Sequence, residues 1–427
     1  MNELATAPLT GLSAPGHEAR STGSAVGPRF TSGHGPWLYA DDGTRWFDGT
    51  SGSGAATLGH QHPEVTAAAI AQIGRLTHTG CKLMSDVRAG LTARIAGIAP
   101  YHDPAVLPTA TGAEAVEAAL KIARAATGHR AVLSFRYGYH GKTAGALGLT
   151  WRAEFKSFSA LPRDTVVTAD LPDPRRPGPV DAAAFAAGLS AALDRADRLG
   201  GTAAVVLEPV QVTEGVLAVP PALLDEIARQ AGERGALFVL DEIYTGLGRA
   251  GRLFAAELLV RPPDLTLLGK TLGNGFPIAA VVGERETVDA LPPGVQTSTF
   301  SGHPVSCAAA GAVLDTVVRE DLAGEARVLG ARLAADLGAL AAGNPRLAAP
   351  RAIGALAAFD CVGADGRPDP AAARRVLAAA SERRLLLFGG GPEGATVKIV
   401  PPALLATDEY LFLIETLHAS VTAAGSC

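Results

Sequence analysis

"LTLLGKTLGNGFPIAAVVG", Leu265 to Gly283, contains two apolar runs of strand length, with a lysine and a glycine-rich turn between them. Runs that are apolar at every position, rather than at alternate ones, suit strands covered on both faces. The pattern recurs along the chain. "AVLSF", "AAVVLEPV" and "ALFVLDE" read as further strands of this kind, while "EVTAAAIAQIGRL", "GAEAVEAALKIARAA" and "PALLDEIARQAGERG" have the spacing of helices with one apolar face. Helices interleaved with apolar strands imply an α/β fold, a mostly parallel sheet between helical layers. Active sites of such sheets lie beyond the carboxyl ends of the strands. Lys270 stands at such an end. Left charged and unpaired among aliphatic residues it would be costly, so it must be paired, deprotonated or covalently used.

The 427 residues, 48% hydrophobic and 19% charged, are enough for a large core and two domains. A net charge of −5 without any long basic run argues against nucleic acid or an anionic membrane as partner, and favours a small molecule. No apolar stretch reaches the length of about 18 residues that a membrane span needs, and the N-terminus lacks a secretory pattern, so the expected location is cytoplasmic. Cys81, Cys307, Cys361 and Cys427 are far apart and show no metal-ligand spacing, so neither disulfides nor a bound metal are expected.

The first 25 or so residues read as a surface-draped arm. "GPWLYADDGTRWFDG" reads as a β-hairpin with strands Trp37 to Ala40 and Arg45 to Phe47 turned at Asp42-Gly43, and the Pro-rich Leu171 to Val180 as a surface loop. After residue 305, long Ala/Leu helices lead to "RAIGALAAFD", a helix around Arg374 to Arg384, "LLLFGG" and "VKIV", the mixture of a smaller α+β domain.

Three features at predicted strand ends carry chemistry. In "TATGAEAVEAALKIARAATG", Thr111 and Glu114 have capping-box spacing, and Gly112 lets a ligand approach a helix N-terminus suited to phosphate. Alone, this is more often simply a well-capped helix. Asp241 closes an apolar strand and needs a cationic partner, a metal or a salt bridge. Lys270, desolvated, can serve as nucleophile or base, although a lone lysine of this kind is more often ion-paired. Together, a phosphate cradle, a buried acid and a desolvated lysine are the parts of a pyridoxal 5′-phosphate site. Tyr139, after the strand "AVLSF", supplies an aromatic to stack on the ring.

These residues resemble the class III, ω-amino acid type aminotransferases of fold type I, in order along the chain from about residue 28. The resemblance runs through "DGTRWFDGTSGSGAATLGHQHPEV", "TGAEAVEAALKIAR", "YHGKT", "LEPVQ", "LDEIYTGLGRAG", "GKTLGNGFPIAAVVG", "TSTFSGHP" and "VKIVPP". It implies a seven-stranded, mostly parallel sheet between helices and a smaller α+β domain built from both chain ends. The implied division is residues 1–60 as arm and part of the small domain, 61–310 as the cofactor-binding domain and 311–427 as the rest of the small domain. Lys270 would form the Schiff base, Asp241 hold the pyridine nitrogen, Tyr139 stack on the ring with His140 in support, and Thr111, Gly112 and Ala113 hold the phosphate. Gln211 would lie near the ring hydroxyl, Glu208 would belong to the cofactor site with Lys398 as its possible partner, and Thr299 would reach the phosphate of a neighbouring subunit in a homodimer.

The implied activity is ping-pong transfer of an amino group from an amino acid or amine to an aldehyde or keto acceptor. The alternative on the same scaffold is a racemase, epimerase, aminomutase or decarboxylase. A non-catalytic sensor would tend to lose Lys270 or Asp241, and a nicotinamide enzyme would need a G-x-G-x-x-G opening the first strand–helix unit, where none stands.

The chain departs from the family's pattern at four places. Ala113 replaces a hydroxyl residue, and Tyr244 replaces a Gln or other small polar residue beside the cofactor. Lys142 and Lys398 replace arginines that anchor dicarboxylic substrates, and a lysine lacks the bidentate fork of an arginine. An amine, diamine, amino sugar or other specialised substrate is therefore expected, with an ordinary ω-amino acid as the alternative. At both lysines a solvated surface position is the plain alternative.

Overall fold

The computed structural model describes residues 20–22, 28–159, 165–176 and 178–425; most of the expected N-terminal arm and Cys427 lie outside the described residues. The centre is a seven-stranded sheet in the order Pro104–Thr109, Ala279–Glu284, Leu265–Leu268, Leu237–Asp241, Thr202–Leu207, Ala131–Phe135 and Val166–Ala169. Ala279–Glu284 runs antiparallel to both its neighbours, and the other six strands are mutually parallel. Both apolar runs of the opening stretch are thus strands of one sheet, paired as a hairpin around Lys270.

The strands are apolar at successive positions because both faces are covered. Leu133, Phe135, Val205, Leu207, Phe238 and Leu240 face one core, and Val132, Ala204, Val206, Val239, Leu265 and Leu267 the other. Helix Gly112–Thr127 shows how the sequence builds such a layer. Ala115, Val116, Ala119, Leu120, Ile122 and Ala123 form its buried face, and Gly128 ends it at φ 67°, a conformation that glycine adopts without Cβ strain.

A second sheet, Leu347–Ile353, Leu356–Cys361, Thr396–Ile399 and Phe388–Gly390, is antiparallel throughout. The expected hairpin forms with strands Trp37–Ala40 and Arg45–Asp48, and Leu385–Leu386 from the far end of the chain pairs parallel to the second of them. One core joins Phe47 and Leu58 to Phe359, Leu385, Ile399 and Leu413. No helix among the described residues is long and apolar enough to cross a membrane.

Candidate active site

Three neighbouring parallel strands end side by side and deliver three ionisable groups. Thr202–Leu207 leads to Glu208, Leu237–Asp241 ends on Asp241, and Leu265–Leu268 leads to Lys270. Asp241 is buried, and its Oδ2 lies 2.7 Å from Nδ1 of His140, which follows the strand Ala131–Phe135. Burial opposes charge on this imidazole, but the hydrogen bond and negative charge of Asp241 outweigh it and raise the ring's pKa. The His140 Nε2 has no hydrogen-bond partner among the described residues.

Lys270 sits at φ 38°, a left-handed backbone rare outside glycine. Its Nζ lies over the ring of Tyr244, 3.2 Å from the centroid. Burial pushes its pKa down to about 7, and Lys398 and Arg249 add to this while Glu208 and Asp241 oppose it. A large neutral fraction near pH 7 follows, as a nucleophilic amine requires. Burial raises the pKa of Glu208, whose carboxylate accepts the Tyr139 backbone N–H at 2.7 Å.

The turn around Lys270 is held from the N-terminal segment. Thr57 and Thr271 share a hydroxyl hydrogen bond of 2.7 Å, and the Asn274 side chain accepts from the Leu58 N–H and donates to the Gly59 carbonyl. Arg249, fully buried, donates to the Pro401 carbonyl and to the Thr57 hydroxyl. The sequence marks none of these tying residues, because each acts through a partner more than 150 positions away.

The helix N-terminus lies open, with Thr111 exposed. The Thr111 hydroxyl accepts from the Glu114 N–H, but the Glu114 carboxylate closes on the Ala110 N–H, one residue before the cap. A Cβ on Gly112 would fall 2.9 Å from Cδ1 of Ile243, so this glycine accommodates a packed side chain. Gly141, at φ 120°, packs closely on Ala113. The glycines after Lys270 likewise serve the turn itself: a Cβ on Gly273 would lie on the Phe276 carbonyl oxygen, and Gly275 is at φ 105°.

The remaining sequence candidates divide. Gln211 is buried and its amide donates to the Arg136 carbonyl at 2.8 Å. Tyr244 is buried beside Lys270. Lys398 is buried rather than solvated; it donates to the Thr213 carbonyl at 3.0 Å, and burial lowers its pKa to about 8. It forms no ion pair with Glu208 among the described residues. Lys142 is exposed, its Nζ 4.8 Å from the Phe155 ring centroid, as the surface alternative expects. Thr299 is exposed as well. The Pro-rich loop is more than surface: its Arg175 pairs with Asp173 and approaches Asp360 and Glu393 of the antiparallel-sheet region.

A lysine with a depressed pKa, a buried carboxylate on a histidine and an open helix N-terminus, all at strand carboxyl ends, are the donor set that pyridoxal 5′-phosphate requires. The residues present fit that cofactor. Among the described residues no cluster of three or more His, Cys, Asp or Glu could hold a metal ion.

The family model Aminotransferase class-III matches residues 22–421. The chain is 36% identical over 346 residues to the 2-aminoadipate transaminase of Pseudomonas putida, spanning 78% of this chain and 81% of that protein. It is 34% identical over 325 residues to the 4-aminobutyrate aminotransferase of Escherichia coli, spanning 75% of each. Among solved structures, a PLP-bound amine transaminase from an uncultivated Pseudomonas species matches with a TM-score of 0.85 at 28% identity, covering 96% of this chain and 97% of that one. The chain belongs to the class III aminotransferases. It is a fold type I, pyridoxal-phosphate-dependent enzyme that moves an amino group from an amino donor to a carbonyl acceptor.

Proposed function

We propose that Lys270 is the residue that holds the cofactor and shuttles the proton of the transamination. The observation that carries this reading is its crowded, largely desolvated amine beside Asp241 and Glu208 at the ends of neighbouring strands. The cofactor supplies the electron sink that makes the carbon bearing the amino group acidic. Lys270 Nζ takes that proton and returns it at the partner carbon. Asp241, with its carboxylate on His140 Nδ1, keeps a proton on the ring nitrogen. Tyr139 would stack on the ring, Gln211 would meet its hydroxyl, and the backbone N–H groups of Gly112 and Ala113 with the Thr111 hydroxyl would hold the phosphate.

Ala113 offers no hydroxyl, so main-chain donors at the first turn carry more of the phosphate contact. Buried Lys398 lies on the substrate side with Glu208, as a point-charge anchor for an acidic group on one of the two substrates. Tyr244 narrows the space beside them. Exposed Lys142 is given no part within its own chain's site.

The active unit is a homodimer in the cytoplasm, with Thr299 reaching the neighbouring subunit's phosphate. This reading is supported by exposed Phe300 beside Thr299 and by Leu83 and Met84, each more than half exposed. The His78 ring lies 5.3 Å from that of Phe300 and brings the two loops together.

Lys270→Ala should lose both turnover and the visible absorbance of bound cofactor; retention of both would overturn the assignment. A panel of amines and amino acids, screened for bleaching of that absorbance in the half-reaction, identifies the donor class. Mixing inactive Lys270→Ala and Thr299→Ala chains should restore partial activity if the site is shared, and restores none if each chain is self-sufficient.

A further inference from the structure

Tyr244 stands three residues past Asp241 and is 8% exposed. Its ring is the group in direct contact with the Lys270 amine, whose Nζ lies 3.2 Å from the ring centroid. Space for the ring comes from Gly54 in the N-terminal segment. At φ 82°, a Cβ on Gly54 would fall 2.3 Å from Tyr244 Cε1 and 2.5 Å from Cζ. The same segment is held in place by Arg249, which donates to the Thr57 hydroxyl at 2.8 Å. The ring is therefore wedged between a glycine that admits it and the lysine it supports.

The charged groups that act on Lys270 are Glu208 and Asp241, which favour the ammonium, and Lys398 and Arg249, which oppose it. None of the four makes an ion pair with Nζ among the described residues, where His140 partners Asp241 and the Tyr139 N–H partners Glu208. The aromatic face thus supplies the short-range attraction. The negative face of a ring attracts an ammonium and a neutral amine far less, so this contact favours the charged form and fixes where it lies. The phenol does not itself supply the charge: burial pushes its pKa up to about 12.

We propose that Tyr244 is a positioning residue, its ring face serving as the seat of the Lys270 ammonium whenever that lysine is released from the cofactor. It holds the ammonium on one side of the site, with the proton taken from the substrate carbon, until that proton is returned at the partner carbon. The inference rests on reading Lys270 as the cofactor lysine. That assignment is tested separately by the absorbance of Lys270→Ala, so the two fail independently.

The test reads Lys270 without using activity. The cofactor-free full chain is labelled with a trace amine-acylating reagent across pH, and the Lys270 peptide is quantified by mass spectrometry with exposed Lys121 as internal reference. Tyr244→Phe keeps the ring face and should leave the labelling midpoint unchanged. Tyr244→Leu keeps bulk without the ring and should lower the midpoint by about one pH unit, the size of a partly desolvated cation–π contact. Gly54→Ala, which displaces the ring without touching Lys270, should lower it in the same direction and covers the case in which the leucine variant does not fold. An unmoved midpoint in Tyr244→Leu or, if that variant does not fold, in Gly54→Ala overturns the proposal. So does a shift in Tyr244→Phe as large as that in Tyr244→Leu.

Discussion

Asn274, four residues past Lys270, gives the sharpest test of how the active-site turn is held. It sits at φ 43° and is 8% exposed, with its side chain spent on two main-chain groups. Its Oδ1 accepts the Leu58 N–H at 2.9 Å and its Nδ2 donates to the Gly59 carbonyl at 3.0 Å. Replacement by alanine removes both bonds, at about 1 kcal/mol each, and leaves a buried N–H unpaired for about 1 kcal/mol more. It also puts a Cβ residue without a local hydrogen bond in the left-handed region, adding about 1 kcal/mol. Asn274→Ala should thus lose about 4 kcal/mol, whereas Asn274→Gly, free of the steric part, should lose about 3 kcal/mol. Urea unfolding of the cofactor-free chain, followed by its three tryptophans at fixed protein concentration, measures both. A loss below about 1 kcal/mol in Asn274→Ala would show that the tie is not structural. Equal losses in the two variants would refute the strain argument. Both variants should also bind the cofactor more weakly, since the turn they loosen carries Lys270.

Arg152 donates two hydrogen bonds to Glu214, at 2.8 and 2.7 Å, and the Glu214 side chain is 1% exposed. Glu214→Gln should cost about 3 kcal/mol by removing the buried counter-charge of the guanidinium and leaving it only exposed Glu154 at 3.6 Å, while adding Arg152→Met should recover part of the loss in the same urea assay. Lys270 has a folded pKa of about 7 against an ordinary 10.5, so between these values the unfolded chain binds more protons and stability gains as pH rises. The cofactor-free wild type should therefore improve relative to Lys270→Met as pH climbs from 7 to 10; a flat difference would mean that the amine is not desolvated. Glu208 is shifted the other way, its raised pKa contributing stability at low pH that fades as pH rises through the folded value, so Glu208→Gln should lose least at the alkaline end. Lys398→Met should weaken half-reactions with donors bearing a second acidic group and spare simple amines, with Lys398→Arg strengthening the former; equal effects on both donor types would remove Lys398 from substrate recognition.

The sheet was legible because its strands are buried on both faces, and burial writes itself as continuous apolar runs. Strands without that signature stay hidden in the sequence. Pro104–Thr109 lies at the sheet edge with a proline at each end of its central run, and Val166–Ala169, at the opposite edge, alternates in exposure. The direction of Ala279–Glu284 was hidden for another reason. A short turn from Lys270 forces the chain back on itself, and only the pairing shows that the returning strand is antiparallel within the sheet.

Within the site, legibility followed the same physical rule. Asp241 and Lys270 stood out because an ionisable group closing an apolar strand is costly unless it is paired or used in chemistry. Lys142 and Lys398, by contrast, were equivalent in sequence, and their fates were decided by three-dimensional surroundings: Lys398 lies in the antiparallel sheet with its amine on the Thr213 carbonyl, whereas Lys142 rests on Phe155 at the surface. Gly54 and Tyr244 illustrate the limit most directly. Each has an ordinary local reading, a turn glycine and a buried aromatic, separated by 190 positions of sequence. Only their contact shows that the space left by Gly54 is filled by the ring set against Lys270, so the seat of the amine is a property of the pair and should change when either partner is altered.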